Sequence, residues 1–184
     1  MKLLCIDPGT EVSGALVLDT ETKEVSWAKP EIKNEVLIQE IPFVHCYTCE
    51  RMAFEMIAGM GMSVGATTFE TVLWMGRFIQ AFGAENCDRI YRRDVKLNLC
   101  GSSRAKDKNV RQAILDLYPA EGGGTTPQIG TKKQPGPLYG VSKHAWSALA
   151  VGLTWIQQRE EEKWRNQMQQ QTKTLVAGLA TCSP

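Results

Sequence analysis

The sequence has no apolar run near the roughly 18 residues of a membrane span, and it shows no internal repeat. The opening MKLLCIDPGT meets an acid at Asp7, too early for a signal-type apolar segment, so a cytoplasmic protein without a membrane partner is expected. The nucleophile elbow G-x-S-x-G is absent, which argues against a Ser-His-Asp hydrolase. Six cysteines stand at irregular spacing and do not suggest a disulfide frame. Cys46 and Cys49 form a C-x-x-C beside His45, but no second pair completes a four-ligand zinc site.

What is present is an ordinary globular composition. The 184 residues are 43% hydrophobic and 22% charged, enough for one domain with a good core. The net charge of +1 conceals a polarised layout. Residues 1–55 carry ten acids against five bases, whereas residues 88–111 carry eight bases against three acids. Such a run is commonly a solvated face; clustered around a turn it also suits phosphate.

Periodicity outlines the elements. KLLCID (2–7), ALVLD (15–19) and EVSWA (24–28) read as a three-stranded meander with tight connections. NEVLIQEI (34–41) suits a short helix. RMAFEMIA (51–58) alternates Met52, Phe54 and Met56 against Ala53, Glu55 and Ile57, as in a central strand carrying one carboxylate. TTFETVLWMGRFIQAF (67–82) predicts a helix with two apolar stripes. One holds Phe69, Val72, Leu73, Gly76 and Ile79; the other holds Thr71, Trp74, Met75, Phe78 and Phe82. A helix apolar on two sides needs two partners, its own sheet and either another helix or a second subunit. DRIYRR (88–93) reads as a fifth strand, CGSSR as a basic turn, and AKDKNVRQAILDLY (105–118) as an amphipathic helix. A Gly- and Pro-rich loop (121–140) follows, then a closing helix from about His144 that turns polar. Strands first, then alternating helix and strand, indicate an α/β sandwich with a mixed sheet.

Three residues stand out as carriers of chemistry. Asp7 ends a buried strand at a Pro-Gly turn, where it either caps backbone N–H groups or serves a site. Glu55 faces solvent if its strand lies at an edge. If the strand is central, Glu55 lies beside Asp7, and paired carboxylates call for a divalent cation. His144 and Ser147 are three apart and share a helical face, either as a local hydrogen-bonding pair or as part of that site.

Together these stretches resemble the RuvC family of Holliday junction resolvases in the ribonuclease H-like superfamily. IDPGTEVSG (6–14) is similar to that family's first strand and turn with its metal-binding acid. MAFEMI (52–57) is similar to the strand bearing the catalytic Glu. FETVLWMGRFIQAFG (69–83) resembles the dimer helix. RRDVKLNLCGSSRAKDKNVRQAIL (92–115) resembles the fifth strand, basic turn and next helix, and SKHAWSALAVGL (142–153) resembles the last catalytic helix. Order and spacing hold over about 150 residues.

The resemblance implies an α/β, ribonuclease H-like fold, a five-stranded mixed sheet flanked by helices. It implies a nuclease domain over 1–158 with a polar helical or disordered tail over 159–184. The implied activity is a metal-dependent, structure-selective DNA endonuclease acting on Holliday junctions or other branched DNA, in DNA recombination and repair. Two Mg²⁺ ions, or Mn²⁺ in their place, roughly 3.5–4 Å apart, would be held by Asp7, Glu55 and His144, with Ser147 as a further candidate ligand. Ser147 stands where the family has an acid. Either the other three suffice, or another acid such as Asp94 substitutes, or the chain binds branched DNA without cutting it well. Arg92, Arg93, Lys96, Arg104, Lys106, Lys108, Lys132 and Lys133 would bind DNA. Met60 and Met62 would serve as apolar wedges. A homodimer would place two sites for two symmetric cuts. An actin-like ATPase can also open on such a hairpin, but it needs two domains of this kind.

Overall fold

In the computed structural model, which describes residues 1–59, 61 and 63–180, one sheet separates two helical layers. β1 (Lys2–Asp7), β2 (Val12–Asp19) and β3 (Val25–Lys33) form the expected meander. After α1 (Asn34–Tyr47), β4 (Arg51–Met56) enters beside β1, and after α2 (Ala66–Phe82), β5 (Cys87–Tyr91) enters beside β4. The order is β3-β2-β1-β4-β5, with β1, β4 and β5 mutually parallel and the meander antiparallel. This is a five-stranded mixed sheet flanked by helices.

β1 lies at the centre. Leu3, Leu4, Cys5 and Ile6 are all fully buried, which is why the strand is a continuous apolar run rather than an alternation. Its even residues Leu4 and Ile6 join Met52 and Phe54 in the layer under α1 and α2. Its odd residues Leu3 and Cys5 join Ala53 in the layer under the C-terminal helix. With Ile6 opposite Phe54 in register, Asp7 and Glu55 come next, on the second of these faces.

The expected fifth strand stops earlier than its sequence suggested. β5 ends at Tyr91, and Arg92 and Arg93 instead open a helix, α3 (Arg92–Cys100), that sequence reading took for strand and turn. Gly101, at φ 67°, closes α3 in the left-handed conformation that glycine adopts readily. The amphipathic helix follows as α4 (Asp107–Leu117), buried through Val110 and Ile114. The 121–140 loop has only an isolated bridge, Gly130 to Pro135, and anchors itself through buried Leu138.

The closing helix, α5 (Ala145–Ala180), is continuous through the described residues. Its first three turns are buried to Ile156, and from Glu160 to Lys173 the side chains are exposed. Two glycines let this helix settle on the sheet. A methyl at Gly152 would approach Cys5 Sγ to 2.6 Å, and one at Gly14 would approach the His144 backbone carbon to 2.5 Å. At the far end of the sheet Asp88 ties the layers together. It accepts hydrogen bonds from Arg51 Nη2 (2.8 Å), Trp155 Nε1 (2.7 Å) and Arg159 Nη2 (3.0 Å).

The two apolar stripes of α2 have different fates. Thr71, Trp74, Met75, Phe78 and Phe82 are buried against the sheet and α1. Phe69 (66% exposed), Val72 and Leu73 (60%) face outward. Met60 and Met62 lie outside the described residues, as does the side chain of Cys46; Cys49 is buried. Among the described residues, no helix is long and apolar enough to cross a membrane.

Candidate active site

Three parallel strands end at one edge of the sheet, and each delivers a charged side chain there. β1 ends on Asp7, β4 carries Glu55, and Arg92 is the first residue after β5. Carboxyl ends of parallel strands are where open α/β sheets place their ligand sites. The turn after Asp7 is held by a buried network absent from the motif reading. Ser13 donates to Asn34 Oδ1 (2.7 Å), Asn34 Nδ2 donates to Gly9 O (3.0 Å), and Gly9 N donates to Ser13 Oγ (3.3 Å). Both side chains are fully buried, so this loop is clamped from inside.

His144 stands just before α5, over β2, because Gly14 has no side chain to exclude it. Its Nδ1 lies 3.2 Å from Asp7 Oδ2. With Nδ1 as donor in this contact, the neutral ring keeps the Nε2 lone pair for another partner. Burial raises the Asp7 pKa; the His144 ring and the Ser147 hydroxyl both favour its charged form. Ser147 therefore supports the Asp7 carboxylate rather than standing apart on the helix.

Glu55 is pushed up to about 7, first by burial; the Arg92 charge opposes this and the Asp7 charge adds to it. Arg92 donates to Glu55 Oε2 at 3.2 Å and to Asp107 Oδ1 at 2.6 Å. Asp107, an acid that motif reading passed over, is thus part of the constellation, with Lys96 Nζ 3.9 Å away. Arg92, one of the residues expected to bind DNA, is paired with two acids of the site. It separates two clefts. One, of about 390 Å³, runs between α4 and α5 past Ser147 and Trp146; the other, of about 450 Å³, is lined by Glu55 and Asp94.

The remaining expected cations are on the surface. Arg93 on α3, Arg104 in the turn, and Lys106 and Lys108 at the start of α4 are exposed. Asn109 Oδ1 accepts the Lys106 backbone N–H at 3.1 Å, fixing where α4 begins. Lys132 and Lys133 are exposed in the long loop, and among the described residues neither makes an ion pair with the site acids.

Two close carboxylates lifted by burial, with an imidazole beside them, suit a hard divalent cation in donor chemistry. Glu55 is turned to Arg92, however, and among the described residues no three His, Cys, Asp or Glu side chains are gathered tightly enough to hold a metal ion. The Arg92 guanidinium occupies Glu55 Oε2, the side of the carboxylate that a cation would otherwise share.

A five-stranded mixed sheet with this order, an acid closing β1 and a helix packed across β1 and β4 define the ribonuclease H-like fold. Two solved structures share it. RuvC from Thermus thermophilus matches with a TM-score of 0.60 at 20% identity, over 88% of this chain and 97% of its own. T. thermophilus RuvC in complex with Holliday junction substrate matches with a TM-score of 0.61 at 18% identity, over 84% and 92%. No protein-family model matches the sequence, and no curated protein matches it either.

Proposed function

We propose that this protein is a metal-dependent endonuclease that resolves Holliday junctions or other branched DNA. The observation that carries the reading is the pairing of Asp7 and Glu55 on adjacent parallel strands, with His144 hydrogen-bonded to Asp7. The RuvC fold supports the choice of substrate class, since one of the similar structures holds a Holliday junction.

Asp7, Glu55 and the free Nε2 of His144 would hold Mg²⁺ or Mn²⁺. The bound ion would supply charge neutralisation at the phosphodiester and lower the pKa of a water. The chain's own groups do the rest. Ser147 and the Nδ1 of His144 favour the charged form of Asp7 against its burial, and His144 orients it. Arg92 balances Glu55 until DNA and cation arrive. Lys96, Arg104, Lys106 and Lys108, with Arg93, Lys132 and Lys133, engage flanking phosphates and set the register of the strand. Residues 1–158 form the nuclease unit in this reading, and residues 159–184 an appended tail. The exposed stripe of Phe69, Val72 and Leu73 pairs with a second copy, so that two sites face one junction. The protein acts in the cytoplasm.

A second reading, a branched-DNA-binding protein with weak cleavage, is favoured by one observation: Arg92 holds Glu55 in an ion pair, and the fourth position carries Ser147. Cleavage of synthetic four-way junctions with Mg²⁺ or Mn²⁺ separates the two. The nuclease reading expects cleavage that Asp7→Asn abolishes. Tight junction binding without cleavage, restored by Ser147→Asp, would establish the binding reading instead.

A further inference from the structure

The cleft between α4 and α5 carries chemistry that metal-assisted hydrolysis does not use. Trp146, half-buried on α5, lies under the Arg111 guanidinium of α4, whose central carbon is 4.7 Å from the indole centroid. Lys108 lies one turn before Arg111 and lines the same cleft. Arg92 is engaged by Glu55 and Asp107, and Lys143 by Glu31. Lys108 and Arg111 have no acidic partner among the described residues, so the cleft holds two uncompensated positive charges around an aromatic floor.

An arginine laid on an indole is fixed in its plane. The Arg111 guanidinium lies over the Trp146 ring while the side chain is otherwise exposed, which leaves room for a second flat group. Nucleobases stack on arginine planes, most readily when they are unpaired. The edge N–H groups of Arg111 and the Lys108 ammonium suit a phosphate oxygen. The cleft volume, about 390 Å³, falls in the range of small-ligand clefts. Position adds the link to the reaction, because Trp146 immediately precedes Ser147, whose hydroxyl supports Asp7.

We propose that this cleft is a nucleotide subsite beside the carboxylate centre. It takes one unpaired nucleotide of a branched DNA strand, its base on the Trp146–Arg111 layer and its phosphate on Lys108. The subsite rests on the DNA-processing reading above and extends it to strand selectivity: the protein prefers substrates with an unstacked nucleotide next to the reacting phosphate.

The test compares a labelled short oligothymidylate, a duplex of equal length and a four-way junction by fluorescence anisotropy at fixed salt. The variants are Trp146→Ala, Trp146→Phe and Arg111→Lys, the last retaining charge while removing the flat group. Trp146→Ala and Arg111→Lys are expected to weaken oligothymidylate binding about tenfold, with duplex binding changed less than about twofold; Trp146→Phe stays close to the native protein. Melting temperature is followed in parallel, and Arg111→Lys, on the surface, keeps the test valid if Trp146→Ala unfolds. Unchanged oligothymidylate binding by Arg111→Lys, or equal losses for oligothymidylate and duplex, overturns the subsite alone. If the native protein binds none of the three DNAs, the DNA-processing reading falls and takes the subsite with it.

Discussion

Arg92 Nη1 lies 3.2 Å from Glu55 Oε2, across a separation of 37 residues, and its other terminal nitrogen holds Asp107. The carboxylate best placed to complete a cation site is thus already balanced by a cation of the chain. Replacing Arg92 by Gln frees Glu55. Loss of Arg92 also lifts Glu55 further, so the comparison is made at alkaline pH, where Mn²⁺ affinity measured by calorimetry should rise about tenfold, the equivalent of one charge-assisted contact. An unchanged or weaker affinity would show that Arg92 does not compete for Glu55.

Glu55 also gives the metal-free protein a pH signature. Its pKa is lifted from an ordinary 4.5 to about 7, chiefly by burial. In that interval the folded state holds the proton more tightly than the unfolded chain, so stability falls as pH rises from about 4.5 through about 7. The full cost is on the order of 3 kcal/mol. Urea unfolding in the presence of a chelator, at pH 5 and pH 8, should show that decline in the native protein and a smaller one in Glu55→Gln. Equal slopes for the two proteins would rule the assignment out.

Gly14 places His144. A methyl there would meet His144 backbone atoms at 2.5–2.6 Å, which the start of α5 relieves only by moving off β2. Gly14→Ala should lower stability by about 2–4 kcal/mol. The His144 ring resonances in NMR should lose their dependence on Asp7→Asn, because the imidazole no longer reaches the acid.

Asp88 is the tie at the opposite end of the sheet. Burial acts to lift its pKa, but Trp155 and Arg51 donate to it strongly enough to hold the carboxyl below its usual range. Its contribution to stability is present above the ordinary Asp pKa and fades as pH falls through the lowered one. Asp88→Asn should cost about 2 kcal/mol at pH 7 and flatten the acid limb of the stability curve. The α5 tail should exchange its amide hydrogens faster in this variant, since Arg159 is released.

The outward stripe of α2 predicts self-association. Leu73, 60% exposed between Phe69 and Gly76, would sit at the centre of a two-fold contact. Leu73→Lys should shift sedimentation from dimer to monomer without changing the melting profile of the subunit. A native protein that sediments as a monomer at micromolar concentration would remove the dimer from the proposed function.

Much of the frame was legible locally. β1, β4 and α2 follow from runs and alternations within a few residues, and their apolar patterns match the faces that the structure buries. The sequence put Glu55 beside Asp7 only on condition that its strand is central; the parallel pairing of β4 with β1 meets that condition, and the two-residue alternation then sets the shared face. The boundary at Arg92 was harder. DRIYRR reads as strand to its end, but β4 ends at Met56, opposite Tyr91, leaving no strand for Arg92 to pair with, and the chain turns to helix there.

The sequence by itself determined the strands β1 to β4, the helix α2, the buried identity of β1 and the two acids near strand ends, because these depend on periodicity within a segment. Tertiary structure alone decided that Arg92 serves Glu55 and Asp107, that Ser13 and Asn34 clamp the Asp7 turn, and that Trp146 carries Arg111. Each of those contacts joins side chains 15 or more residues apart. Their meeting is set by how helices pack on the sheet, and no pattern within a single segment encodes it.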